Sequence, residues 1–404
     1  MIKGYSKMKK TLAALAVLGA FAGSAVAADV TLYGLVDYGF NYQHVDADKD
    51  GQDAQDSFRM MSSQNSGSRF GLKGTEDLGN GLKVGFVLEN GFNADDGALG
   101  NGGRLFGRES QVYLQGAFGT LSFGRVGQLV SANGTFGLMG GASPFSGGWQ
   151  DSVGAKYLMA STWDRFDNTI TYQTPSFNGF QLHAQYSFDT DTTVDNDKDT
   201  TGTQHGTEGK SSVTRYYGVA ATFKSENLYL VGAVDSMNWN RVLYPDAADG
   251  SKLDDQVNIT LGGAYDFQVA KVYAQAQYFM NAVNVGLKSA NTDGTTISSG
   301  YSFGVADEGA DGFGVALAVG VPAFGGQAKA QIGYMTAEAN KAAAGADKKE
   351  IDRWNVAVGY DYAFTKRTSM YTAASYIKDS MKHWEAKDRD PSSIEVMAGL
   401  IHKF

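Results

Sequence analysis

Beyond residue 29, apolar and polar residues alternate one for one along most of the chain. The stretch 68–92, SRFGLKGTEDLGNGLKVGFVLENGF, shows the repeating unit. Phe70 and Leu72 share one face, while Arg69, Gly71 and Lys73 share the other. Leu82, Val84, Phe86 and Leu88 then lie opposite Lys83, Gly85 and Glu89. A period of two predicts a β-hairpin with one greasy and one polar face. The turn falls at Glu76-Asp77-Leu78-Gly79-Asn80-Gly81, where Gly and Asn accept positive φ at little cost.

The same pattern returns along the whole chain. A run over 29–42 precedes the two arms of that hairpin, and further runs cover 104–115, 120–126, 165–174, 180–188, 215–223 and 228–235. Six pairable runs follow at 257–267, 269–280, 312–321, 327–335, 352–362 and 369–377, and a last one at 394–404. Seven short turns and eight long polar loops separate these sixteen runs and alternate strictly. The loop 45–66 is acidic, and 127–164 is the longest. An up-and-down antiparallel barrel with both ends on the short-turn side produces this alternation. Most runs reach the roughly 9–11 residues that a tilted membrane-spanning strand needs. The 5 prolines agree, since Pro144, Pro245 and Pro391 fall in long loops and Pro175 and Pro322 at turns.

A soluble sandwich would bury the greasy faces against each other and wet the polar ones. Against that, many greasy faces end in rings: Tyr38, Phe40, Tyr42, Phe180, Phe188, Phe223, Trp354, Tyr360, Tyr362 and Phe404. Rings at strand ends match the interfacial girdles of an outer-membrane barrel. Sixteen strands also leave an aqueous lumen, whereas about eight leave space only for side chains.

Residues 1–27 stand apart. Lys3, Lys7, Lys9 and Lys10 precede an apolar run over 12–22 and then Ala25-Val26-Ala27, the layout of a secretory signal peptide cut after Ala27 or Ala28. The barrel is therefore expected over 28–404. Without the four leader lysines, the 34 basic side chains fall to 30 against 43 acidic, a formal charge of −13, which argues against a nucleic-acid partner. The chain has no cysteine, so disulfides, thiolate nucleophiles and thiolate metal sites are excluded. His44, His183, His205, His383 and His402 are scattered without metal-type spacing, and neither metal nor cofactor is expected.

Five segments carry a resemblance to a known family. ADVTLYG, SRFGLKGTEDLGNGLKVGFVLE, GRESQVYLQGAFGTLSFGR, RFDNTITYQTPSFNGF and the ending GLIHKF resemble the Gram-negative general porins, especially their β-proteobacterial branch. The resemblance implies a trimeric sixteen-stranded barrel in the outer membrane, in contact with lipid and lipopolysaccharide, that passively admits small hydrophilic solutes. It also implies a third long loop folded into the lumen, which 127–164 fits, and a C-terminal Phe, here Phe404, read by the barrel-assembly machinery.

It further implies a basic cluster on the pore wall facing acidic groups on the inward loop. Arg69 and Lys73 match the wall positions of the second strand, and Arg165 matches that of the sixth; all three have inward parity. Arg108 matches another family arginine, although strict alternation puts it on the outer face with Val112 and Leu114 unless the strand end shifts its register. Asp151 is the only acid of the loop before Asp164. Phe136, Met139, Trp149 and Tyr157 either give the loop an apolar constriction or anchor it to the wall. Arg125 falls on the outer face beside Leu121 and Phe123, where a charge needs a protein partner. The family pattern supplies one at the trimer contact, with Asp95 and Asp96 as the candidate carboxylates.

Two motifs are discounted. Asp46-Ala47-Asp48-Lys49-Asp50-Gly51 begins like a calcium loop, but Ser57 stands where the closing Glu belongs. His183 and Ser187 share a parity, yet they point into the lumen, and catalysis would also need an oriented third group. A solute-selective pore, or a pore with an adhesive surface, remains the alternative to a general diffusion channel.

Overall fold

The structure, a computed structural model, describes residues 30–145, 158–160, 164–192, 208, 213–239, 246–286, 301–342 and 345–404. The leader lies outside them. Sixteen strands form the wall: β1 (Thr31–Asp46), β2 in two pieces (Gln55–Ser62 and Arg69–Gly79), β3 (Leu82–Gly91), β4 (Glu109–Gly116), β5 (Gly119–Gly127), β6 (Arg165–Gln173), β7 (Phe180–Ser187) and β8 (Arg215–Lys224). They continue with β9 (Leu228–Asn238), β10 (Gln256–Asp266), β11 (Lys271–Ala282), β12 (Ala310–Ala323), β13 (Gly326–Ala339), β14 (Glu350–Ala363), β15 (Thr368–Lys382) and β16 (Ser392–Lys403).

Each strand pairs antiparallel with the next, and β16 returns to pair with β1 from Leu35↔Lys403 to Asp46↔Ser392, so the barrel is closed. Closure leaves no open edge, the condition for a sheet to cross lipid. The tight turns use the residues their geometry needs: Asn80 and Gly81 sit at φ 53 and 77, and Asn178 and Gly179 at 48 and 89. At the seam, Phe404 and Gly34 exchange backbone hydrogen bonds of 3.0 and 3.1 Å, and the Phe404 ring lies directly on Gly34, where a side chain would collide with it.

The distribution of polarity is inside out. Trp354 is 54% exposed while its neighbours Arg353 and Asn355 are 0% exposed. Leu261, Leu317, Val358 and Leu400 face outward, whereas Asn258, Gln277, Gln331 and Glu395 are buried in the interior. A water-soluble fold would reverse these two sets. The greasy face is therefore the lipid face.

Three local departures from strict alternation matter. The segment expected to be an acidic connection contains the outer half of β2, which pairs with β1 from Tyr38↔Ser62 to Val45↔Gln55. It escapes a pattern search because residues 63–68 leave the ladder between the two halves of the strand, with Ser63 at φ 68. Phe166, which unbroken alternation with Ile170 and Tyr172 would turn outward, is only 4% exposed and packs 4.8 Å from the Tyr216 ring. A register shift between Gly124 and Val126, beside Asn168 at φ 48, turns it inward. Finally, Pro322 enters the last rungs of β12, opposite Gln327.

Candidate pore constriction

The long β5–β6 loop folds into the barrel and lies against its far wall. Its first part turns back on itself through Leu138 N–H to Leu129 O (3.0 Å) and Met139 N–H to Ser131 O (2.8 Å). A short 3-10 turn, Met139–Ala142, then lies beneath β9 and β11, where Tyr229 donates to Leu138 O at 2.6 Å and Gln275 to Ala142 O at 2.8 Å. Phe145 reaches a lumenal apolar patch made by Leu35, Ala357, Tyr371, Ala373, Met397 and Ile401. The returning limb is held by Ala160 N–H to Gln277 Oε1 at 2.8 Å.

Glycines on the wall make this docking possible. The backbone of Leu158 lies against Gly314 and its side chain against Gly333, so closely that a Cβ at either glycine would overlap the loop. Phe136 and Met139 are 3% and 0% exposed within the same packed cluster, so here they anchor the loop and do not line a passage. Trp149, Tyr157 and Asp151 lie outside the described residues.

Across from this loop, three guanidinium groups approach one another. Arg69 comes from β2, Arg108 from the residue preceding β4, and Arg165 from the first position of β6. Arg108 does not follow the outward parity of Val112 and Leu114. The regular ladder starts only at Glu109, so the Arg108 side chain is free to turn inward, where its Nε donates to Glu89 Oε1 at 2.6 Å. Arg69 Nη1 lies 3.9 Å from the same oxygen, and Tyr33 donates to the other at 3.0 Å. Among the described residues no carboxylate comes within ion-pair distance of the Arg165 guanidinium, whose Nη2 reaches Asn133 Oδ1 of the loop at 3.4 Å. Glu109, directly across the ladder from Glu89, uses both oxygens on Thr135 of the loop, at 2.6 and 3.0 Å.

Lys73 is not part of this group. It pairs with Thr31 near the short-turn end of β2, four residues below Arg69, where its ammonium lies 5.2 Å from the Tyr33 ring centroid. Two further lumenal ion pairs form away from the cluster: Lys329 with Asp361, and Arg353 with Asp379 at 2.7 Å.

Arg125 has a different partner from the one expected. The register shift carries it to Asp167 of its own chain at 2.7 Å, with further donations to Gly107 O (2.8 Å) and Arg165 O (3.0 Å). Its charge therefore needs no neighbouring subunit. Arg104 closes on the same carboxylate with two bonds of 2.6 and 2.7 Å and also reaches Asp191 at 2.5 Å. Burial opposes the Arg104 charge, but Asp167 and Asp191 outweigh it and raise its pKa above the ordinary arginine value. Asp95 and Asp96 stand exposed at the tip of the β3–β4 loop. Asp48 and Asp50 of the calcium-loop look-alike contact the last long loop, through Asp390 N–H and Lys387.

Sequence reasoning missed Asp167, Arg104, Glu109 and the glycine seats, because each acquires its role from a register shift or a loop contact. Glu89 was legible only as one lumenal acid among several. His183 bonds to Thr222 (3.0 Å) and Ser187 to Asp167 O (2.7 Å), so the single histidine–serine pair that parity allowed is not assembled.

Comparison with known proteins agrees with this architecture. The sequence profile of the Gram-negative porins matches residues 13–382. An outer membrane porin protein of Bordetella pertussis is 33% identical, covering 98% of this chain and all of that one. Outer membrane porin protein 32 of Delftia acidovorans is 30% identical over 92% of this chain and 90% of its own. Among solved structures, an anion-selective porin from Comamonas acidovorans superposes with a TM-score of 0.62 at 25% identity, covering 94% of this chain and 100% of that chain. A closed, inside-out barrel of sixteen strands and a profile match over most of the sequence lead to one conclusion: the chain belongs to the Gram-negative porin family and is an outer-membrane channel, not an enzyme.

Proposed function

We propose that this porin is a passive diffusion channel with a preference for anions, and that Arg69, Arg108 and Arg165 set the field at its narrowest passage. The observation carrying this reading is the imbalance in the cluster. Among the described residues, Arg69 and Arg108 meet one carboxylate, Glu89, the Arg165 guanidinium meets none at ion-pair distance, and Glu109 is bonded to the loop. Charged walls around a narrow aqueous path discriminate between ions by that residual field. The anion-selective porin from Comamonas acidovorans is a similar fold with a full-length match. Lys73 adds positive charge on the path below the cluster.

One unit charge roughly 6 Å from a permeating ion in water is worth about 0.7 kcal/mol, and salt near 0.1 M screens it to about half. Each unit then changes the anion-to-cation ratio roughly threefold. Arg69→Glu with Arg165→Glu shifts the cluster by four units, so the reversal potential under a salt gradient is expected to change sign. An unchanged reversal potential in planar bilayers would sink the reading.

The assembled form is read as a homotrimer in lipid and lipopolysaccharide. Asp95 and Asp96 are exposed for contact with a neighbouring subunit, and Phe404 is the signal to the barrel-assembly machinery. Crosslinking of the native membrane tests the trimer: monomer bands alone would refute it. Phe404→Ala is expected to lower the yield of inserted barrel.

A further inference from the structure

The six residues 63–68 that interrupt β2 are a built element. Ser63 N–H donates to Asp37 O at 2.8 Å, and Asp37 N–H donates to Ser68 Oγ at 3.1 Å. The Asp37 carboxylate collects the Asn65 and Ser66 N–H groups at 2.8 and 2.6 Å on one oxygen and the Tyr371 hydroxyl at 2.7 Å on the other. Gln64 and Asp37 are both 0% exposed. A contiguous strand would satisfy its N–H groups on its neighbour. Here a buried carboxylate does so instead and holds the segment on the lumenal side.

What the segment holds in turn is the basic cluster. Arg69 Nε donates to Gly67 O at 2.7 Å and Nη2 to Ser66 Oγ at 2.8 Å. The Arg108 guanidinium points its Nη1 at Gly67: a Cβ there would meet Nη1 inside contact distance, with Cζ behind it at 3.2 Å. Gly67 has no positive φ, so its backbone would accept alanine without strain, and the missing side chain serves the neighbour. The far end of Arg108 would have to give way, by about 1 Å. That displacement works directly against its 2.6 Å bond to Glu89.

We propose that the inward segment 63–68 is the frame of the selectivity site, with Gly67 as a specificity-determining position and Asp37 as a positioning residue for Arg69 and Arg108. This rests on the reading of those arginines as the source of anion preference. No chemistry at Gly67 itself is involved: it leaves a notch, and the notch fixes where a charge can stand.

The test compares reversal potentials of Gly67→Ala, Arg108→Gln, their double variant and Asp37→Ala in planar bilayers under a potassium chloride gradient. Arg108→Gln is expected to lower the anion-to-cation permeability ratio about threefold, Gly67→Ala to lower it in the same direction but by less, because the charge is displaced and not removed, and the double variant to fall no further than Arg108→Gln alone. Gly67→Ala/Arg108→Lys should recover most of the ratio, because an ammonium carries the charge without the Nη1 group that meets residue 67. Asp37→Ala supplies a sign test. Removing a negative charge raises anion preference if only the field matters, whereas releasing the frame lowers it. A wild-type ratio in Gly67→Ala beside a shifted Arg108→Gln, or a rise in Asp37→Ala, overturns the proposal. If neither Arg108→Gln nor the Arg69/Arg165 inversion moves the ratio, the arginine reading has failed and the frame falls with it.

Discussion

The docking of the β5–β6 loop can be tested with one methyl group. Gly314 lies mid-strand in β12, paired with Gln277 on one side and Met335 on the other. The wall on either side cannot retreat without breaking both ladders. In Gly314→Ala, the new Cβ coincides with the Leu158 carbonyl, far inside the 3.0 Å that real Cβ contacts keep. The loop must therefore withdraw by about 1.5 Å or more, toward the open lumen and the arginines. Overpacking of this kind costs about 1–3 kcal/mol. The bonds next to the collision, Ala160 to Gln277 at 2.8 Å and Gly286 N–H to Met159 O at 2.9 Å, are each worth about 0.5–1.5 kcal/mol and are strained with it. Every 1.4 kcal/mol lost raises the unseated population roughly tenfold. Single-channel recording should show a lower mean conductance with added current noise, while the barrel's heat-unfolding midpoint is retained. Gly320→Ala is the control, because its Cβ meets only the end of the Gln327 side chain, at 2.8 Å. Conductance and noise equal to wild type in Gly314→Ala would show that the loop is not seated on this wall.

Other expectations concern stability. Arg353→Met strands the Asp379 carboxylate, which is 1% exposed, and should cost about 3–5 kcal/mol, read as a lowered heat-unfolding midpoint; adding Asp379→Leu should restore most of it. Arg125→Ala leaves Asp167 held by Arg104, so a loss of about 1–3 kcal/mol is expected. Asp167→Ala releases both arginines and should cost more, with faster proteolysis of residues 93–108 on intact cells; equal stability of the two variants would refute the shared-carboxylate account.

The strand plan was legible because spanning lipid imposes one requirement everywhere: alternate residues must be greasy, and every break must be a turn or a polar loop. Fifteen of the sixteen strands fall where the alternation puts them, to within a few residues at each end. β2 is the exception, and its outer half, QDSFRMMS, alternates poorly in hydrophobicity. Arg125 and Phe166 depart from their parity, and Arg108 turns inward through the strand-end exception, for a single reason. Parity is a rule about an unbroken ladder, and each of these residues sits at a strand start or beside a register shift. The long loop was legible in length and place, but its contacts were not. Nothing local in the sequence announces that Gly314 and Gly333 exist to admit Leu158, since strand glycines serve many ends.

These departures concentrate on one part of the wall. The interruption of β2, the late start of β4 and the shift between β5 and β6 all lie on the arc that carries Arg69, Arg108 and Arg165. A regular ladder places side chains at fixed heights about 7 Å apart on each face, which is too coarse to gather three guanidiniums into one cluster. Arg69 and Arg165 hold the first rungs beside two of these irregularities, and Arg108 stands just off the ladder at the third. The lattice that makes the barrel stable is thus suspended where the charges have to meet. The opposite arc, β9 to β15, stays regular, with one slip at the loop end of β11, and receives the loop. On this view a variant that restores regular pairing through 63–68, by deleting four of those six residues so that the ladder runs unbroken from Tyr38↔Ser62 to Leu35↔Arg69, should keep a closed barrel and lose its anion preference. A deletion that retains wild-type selectivity would mean that the arginines find their places without the broken strand.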